Sequence, residues 1–227
     1  MNGFSLYRVE LELHGVFWFH SYAQISRKYV HHMLPVVHNY PLTLAFLSLP
    51  SEQYASVSGI ITYKYKPEDV WRKYGIYVYP AVFLRNESRI LTFTMTGTGY
   101  VDMKVRTRAS VPDFTANQVS LPGTVLKTYV LVSSETQYKL PGYIRLGSKR
   151  YGVFRVKPVK LHGYRVVEGS PVQTTHPFNV RDAESLRYYS IMNHYAGPIA
   201  VSGIVRKSIQ VGNDILAYPV FFDKVKY

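Results

Sequence analysis

Three cations recur at every second position in Lys104, Arg106 and Arg108, interleaved with Met103, Val105 and Thr107. On an extended strand this spacing projects all three charges from one face, at intervals of roughly 6 to 7 Å. The interval suits the phosphates of an extended single-stranded nucleic acid, whose binding would be steeply salt-dependent. A solvated edge strand, where Lys and Arg discourage pairing with another chain, is the competing reading. Three like charges in a row repel unless screened or bound, which favours a ligand.

A second candidate runs through Tyr143-Ile144-Arg145-Leu146-Gly147-Ser148-Lys149-Arg150 and on to Arg155. If Gly147-Ser148 is a two-residue hairpin turn, Arg145 lies opposite Arg150 and Tyr143 opposite Gly152. Opposed guanidinium groups beside an aromatic ring are suited to phosphate contact and base stacking. A longer loop over Gly147–Arg150 would remove that pairing, and Lys149 stays at the tip in either case. The chain has 21 Tyr and 11 Phe. Most belong to a β-rich core, and only those beside cations, Tyr100, Tyr143 and Tyr151, are candidates for stacking.

The histidines suggest little metal chemistry. His31 and His32 would point apart on a strand, and no His-x-x-x-His or His-Glu-x-x-His pattern occurs. The acidic residues are scattered, and Glu68-Asp69 and Asp182/Glu184 read as helix-start or surface groups rather than a magnesium site. Neither a metal nor a cofactor is expected. Gly97-x-Gly99 lacks the third glycine of a dinucleotide fingerprint and reads as a turn. A metal-independent ribonuclease remains an enzymatic alternative, with His38, Tyr40 and a lysine of the 104–108 segment as its only plausible combination.

Composition narrows the class. Lys+Arg 27 against Asp+Glu 14 gives a formal net charge of +13 over 227 residues, which favours a polyanionic partner. The chain contains no cysteine, which excludes disulfides, thiolate metal sites and a cysteine nucleophile. No apolar run reaches the roughly 18 to 20 residues that cross a bilayer, so a cytoplasmic protein without membrane contact is expected. Asn86-Glu87-Ser88 is then a surface turn.

The elements that must position these residues are mostly strands. Phe4–Leu13 alternates, with Tyr7, Val9, Leu11 and Leu13 on one face and Arg8, Glu10 and Glu12 on the other. His38-Asn39-Tyr40-Pro41 is a helix start, with Asn39 as cap and Pro41 in the first turn, leading into a helix over 40–49. Leu42, Ala45, Phe46 and Leu49 share its apolar face. Strands are expected over Tyr74–Tyr79, Arg89–Met95, Tyr100–Arg108, and near 125–132, 141–146, 150–157 and 159–167. A helix near 182–195 and a hairpin of Ile199–Val211 with Ile215–Phe222, turning at Gly212-Asn213, complete the chain. This order predicts an α+β fold, a ferredoxin-like or RNA-recognition-type sheet with helices and additional β-hairpins. One domain over 1–227 is expected, with a thumb-like insertion within about 60–120.

Three segments carry a family resemblance. His38-Asn39-Tyr40-Pro41-Leu42-Thr43-Leu44-Ala45 resembles a His-Asn-Tyr-x-Leu-Thr-x-Ala segment of the handle-binding subunit of type I-D CRISPR complexes, a divergent member of the Cas-five family within the RAMP superfamily. Tyr143–Arg150 resembles that family's Ile-Arg-Leu-Gly-Lys hairpin, and His176-Pro177-Phe178-Asn179-Val180-Arg181-Asp182 its His-Pro-Leu-Asn-x-x-Asp turn. Pro41 and Phe46 depart from the residues expected there. The resemblance implies a non-catalytic crRNA-binding subunit of the Cascade surveillance complex in antiviral defence, holding the 5′ handle and capping the backbone filament. It further implies contacts with the backbone and large subunits, and with target DNA through the assembled complex. It argues against the processing nuclease; a structural β-rich interaction protein without RNA binding is the other alternative. The residues expected to meet RNA are Lys104, Arg106, Arg108, Tyr143, Arg145, Lys149, Arg150 and Arg155, with His38, Asn39 and Tyr40.

Overall fold

A computed structural model of the chain describes residues 3–19, 30–31, 33–49, 53–55, 61–63, 66–94, 114–147, 151–192 and 197–223. The cationic segment 104–108, Tyr100, Gly97-x-Gly99, Lys149 and Arg150 lie outside the described residues, as does part of the 60–120 insertion.

In chain order the elements are β1 (Phe4–Leu13), β2 (Val30–His31), β3 (Val36–Val37), α1 (Asn39–Phe46), β4 (Gln53–Ala55), β5 (Ile61–Tyr63), α2 (Pro67–Tyr74), β6 (Ile76–Val78), β7 (Ala81–Arg85) and β8 (Ser88–Thr94). They continue with β9 (Phe114–Ser120), β10 (Val125–Ser133), β11 (Tyr143–Leu146), β12 (Gly152–Leu161), β13 (Arg165–Gln173), β14 (Phe178–Asn179), β15 (Ser185–Met192), β16 (Ile199–Val211) and β17 (Asp214–Ala217). The fold is α+β and rich in strands.

A seven-stranded antiparallel sheet runs β11-β12-β1-β10-β7-β3, with β6 also on β10. Strand β1 sits inside it because its alternation serves two cores at once. Val9, Leu11 and Leu13 face α1 and α2 and pack with Leu42, Phe46 and Val70. Phe4 and Leu6 on the other face pack beneath a second sheet, with Tyr129, Ile209, Leu216 and Phe221. Each such fully buried side chain contributes on the order of 1.5–3 kcal/mol. That second sheet is organised around β16, which pairs with β13, β14, β15 and β17.

Five expectations are corrected. The α1 cap is His38, whose Nδ1 accepts from the Tyr40 amide at 3.1 Å, and Asn39 already lies in the helix. The helix ends at Phe46 rather than 49. The expected helix near 182–195 is instead strand β15, paired antiparallel with β16. Residues 67–74 form α2, entered at Pro67 and closed by Gly75 at φ 63, so the strand expected from Tyr74 begins at Ile76. The final hairpin turns at Gly212-Asn213 as expected, with Val211 opposite Asp214, but its second strand is Asp214–Ala217 rather than Ile215–Phe222, and residues 220–223 form turns.

Candidate nucleic-acid interface

The β11–β12 register decides which side chains meet. Tyr143 lies opposite Arg155, Ile144 opposite Phe154, Arg145 opposite Val153 and Leu146 opposite Gly152. Arg145 therefore does not face Arg150 and Tyr143 does not face Gly152; the connection is longer than the two-residue turn. Gly147 takes φ 88, and a Cβ there would stand 2.6 Å from the Trp18 carbonyl oxygen, so the chain turns tightly against β1's continuation.

Alternation then builds one face. Ile144, Leu146, Phe154 and Val156 point into the core beneath the helices. Tyr143, Arg145 and Arg155 point the other way, all exposed, with Tyr143 at 59%. Beside them on β1, Glu12 is opposite Arg155, and His14 donates its amide to the Val153 carbonyl at 2.8 Å. The His14 ring meets the Tyr143 ring edge-on, centroids 6.1 Å apart. At the margin of this face, Tyr151 stacks on Trp18 with centroids 5.4 Å apart and planes inclined by 28°. The second sheet covers Phe4 and Leu6 but leaves Arg8, Glu12 and His14 of the same face accessible to solvent.

Charge on this face is asymmetric. Lys157 bonds Glu12 at 2.7 Å, and this hydrogen bond is the main cause holding the Glu12 carboxyl below its ordinary range. Lys127 reaches Asp214 at 3.4 Å. Arg8, Arg145 and Arg155 make no ion pair among the described residues. Unpaired guanidinium groups between exposed aromatic rings are equipped to neutralise phosphate and to stack on bases.

His38, Asn39 and Tyr40 are elsewhere. They were expected at RNA; the fold buries His38 and Asn39 in a polar cluster, and half-buried Tyr40 turns its hydroxyl into the same cluster. Asn39 has no exposed surface and His38 retains 4%. Asn39 Nδ2 donates to Asp182 Oδ2 at 2.7 Å, while Asn179 Nδ2 donates to Asn39 Oδ1 at 3.3 Å. Tyr40 and Tyr77 hydroxyls donate to the same carboxylate at 3.1 and 2.9 Å. His38 Nε2 contacts the Gly197 carbonyl oxygen at 3.2 Å, which with Nδ1 acting as the cap acceptor fixes Nε2 as the protonated nitrogen. Burial outweighs these donors and pushes the Asp182 carboxyl up to about 6. His176 is enclosed as well, its Nε2 2.8 Å from the Pro80 carbonyl oxygen, and burial lowers it to about 4.

The two motifs around His38 and His176 thus converge on one carboxylate and tie α1 to the second sheet. Their chemistry is internal, which explains a demanding residue pattern without any ligand. A family model described as type I-D CRISPR-associated protein Cas5/Csc1 matches residues 4–209. The chain belongs to this family. A search of curated proteins gave no match. Membership places this Cas5/Csc1 chain in a type I-D CRISPR complex. No helix among the described residues is long and apolar enough to cross a membrane.

Of the expected site residues, Tyr143, Arg145 and Arg155 are brought together. The reading of the sequence missed His14, Trp18 and Lys157. A signal for Lys157 existed: Tyr151, Val153, Arg155 and Lys157 fall at alternate positions of one strand. His14 and Trp18 join only through the β1–β12 register, a long-range pairing with no local signature.

Proposed function

We propose that this Cas5/Csc1 chain is a non-catalytic guide-RNA-binding subunit that holds the 5′ handle of the crRNA on the open face of the seven-stranded sheet. The observation that carries the reading is the alignment of Arg145 and Arg155, which make no ion pair among the described residues, with exposed Tyr143 and the Trp18–Tyr151 stack on one solvent-facing surface. Phosphates would meet the guanidinium groups, and splayed bases the rings. The net charge of +13 supplies long-range attraction. The proposal extends to capping of the backbone filament, contact with the backbone and large subunits, and a cytoplasmic location, for which the family match is the support. We read the core as ferredoxin-like, supported by β1 flanked by β10 and β12 with both helices on one face.

A nuclease reading through His38 finds no support in geometry, since both ring nitrogens are engaged with backbone atoms in the interior. The test is titration of a fluorescent repeat-derived RNA at several salt concentrations, with chelator present. The wild-type chain should bind and leave the RNA intact. Arg145→Glu with Arg155→Glu should weaken binding at least tenfold and flatten the salt dependence. Unchanged affinity would overturn this site, and cleavage would overturn the non-catalytic reading.

A further inference from the structure

We infer that the open face of the seven-stranded sheet holds single-stranded RNA by alternate bases: two aromatic stations each stack one base, and the base between them is left without a ring. The inference rests on the RNA-binding reading and adds a spacing to it. The first station is Tyr143, whose ring the His14 ring meets edge-on. The second is Tyr151, stacked on Trp18. The two tyrosines are exposed at 59% and 55%, which leaves ring surface on each for a base.

The separation of the stations follows from the strand register. Tyr143 lies opposite Arg155. Tyr151 precedes Arg155 by four residues, an interval of roughly 13 Å at about 3.3 Å per residue. Tyr151, Val153 and Arg155 alternate with the buried residues Gly152, Phe154 and Val156, so both stations stand on the same side of the sheet. Midway between them Arg145 lies opposite Val153. The midpoint therefore carries an exposed guanidinium and a half-buried branched aliphatic chain rather than a ring.

Two steps of an extended strand, whose phosphates stand roughly 6 to 7 Å apart, span this interval. A helically stacked strand advances only about 3.4 Å per nucleotide and needs four steps to pass from one tyrosine to the other. Those steps cross the space into which Arg145 projects, and a base inside a stack already has both of its faces covered. The extended strand avoids both conflicts. Its first and third bases lie on Tyr143 and Tyr151, and a phosphate between them meets the Arg145 guanidinium. The middle base has no aromatic partner, so this face is indifferent to its identity and even to its presence.

The test is a short repeat-derived RNA in which a single abasic position is moved along the strand, titrated against the full chain and its Tyr143→Ala and Tyr151→Ala variants. With the wild-type chain, loss of either stacked base should weaken binding by about 5- to 150-fold. Tyr143→Ala should erase the penalty at one position and Tyr151→Ala at another. Those two positions should be separated by one nucleotide, whose base can be removed with less than a twofold change. Tyr143→Phe and Tyr151→Phe keep the rings and should keep the whole pattern, which separates stacking from loss of fold. Adjacent positions, positions three or more apart, one position shared by both variants, a costly middle base, or loss of the pattern in the Phe variants overturns the inference. Alanine variants that leave every RNA unaffected assign the rings to a protein neighbour and overturn it as well. Absent affinity for the intact RNA is a distinct result, which overturns the RNA-binding reading itself.

Discussion

Asn39 and Asp182, 143 residues apart in the chain, share a 2.7 Å hydrogen bond in the interior. Asn39 has no alternative partner of equal quality, and Asp182 has no cation among its hydrogen-bond partners. The carboxylate is held by three neutral donors, from Asn39, Tyr40 and Tyr77. A buried group stripped of such partners costs about 1–3 kcal/mol. Asn39→Ala should therefore lower unfolding free energy by about that amount in urea titrations, and Asp182→Ala by more, because it orphans several donors. A change in Asn39→Ala below about 0.5 kcal/mol would show that the cluster is not holding α1.

Asp182 and His176 bias stability in opposite directions with pH. Asp182 is raised to about 6 from 3.8, so its protonated form favours the fold, and that contribution is lost as pH rises through the interval. His176 is lowered to about 4 from 6.5, so its neutral form favours the fold, and that contribution is lost as pH falls through the interval. Each slope is at most about 1.4 kcal/mol per pH unit. Between pH 4 and 6 the two should nearly cancel. Asp182→Asn should uncover loss of stability on acidification, and His176→Gln loss of stability toward neutral pH, both read from melting temperatures. Parallel pH profiles in the two variants would rule this compensation out.

Glu12 works against anion binding on the sheet face. It pairs with Lys157 and lies opposite Arg155. Glu12→Gln should tighten RNA binding several-fold and steepen the log–log salt slope by up to about one, since one more cation becomes available to phosphate. Weaker binding would place the RNA elsewhere.

The chain has two tryptophans. Trp71 is buried against Phe222 at 4.0 Å between ring centroids, while Trp18 lies only partly buried under Tyr151. Bases stacking at this margin should quench Trp18 fluorescence on RNA addition, and Trp18→Phe should abolish the quench. Tyr151→Ala should reduce affinity by about 5- to 150-fold, the range expected for about 1–3 kcal/mol per stacked base. A quench that persists in Trp18→Phe would assign it to Trp71 and a conformational change.

What the sequence disclosed depended on how local the cause was. Strand β1 and the Gly212-Asn213 hairpin were readable because alternation and turn chemistry are neighbour effects. The α2 helix carried equally local signals: Glu68-Asp69 reads as a helix start, and Pro67 before it and Gly75 after it mark the two ends. Residues 185–192 read as a helix after Asp182 and Glu184, yet pairing along β16 makes them a strand, a tertiary effect that propensity does not contain. The same holds at the site. Arg145 and Tyr143 were identifiable by type, but their partners depended on a register that a longer turn shifts. Asn39 was assigned to capping because the carboxylate that claims it lies 143 positions away.

That distance bears on how the protein is made. At roughly 5–20 residues per second, Asp182 leaves the ribosome on the order of ten seconds after Asn39. Throughout that interval α1 carries Asn39, Tyr40 and the Leu42–Phe46 surface with no carboxylate to dock on, and β1 has neither β10 nor β12 beside it at first. The amino-terminal third is thus born as a client: its docking is deferred to the arrival of the carboxy-terminal turn, so truncation before residue 182 should forfeit the anchoring of the first helix along with the last sheet.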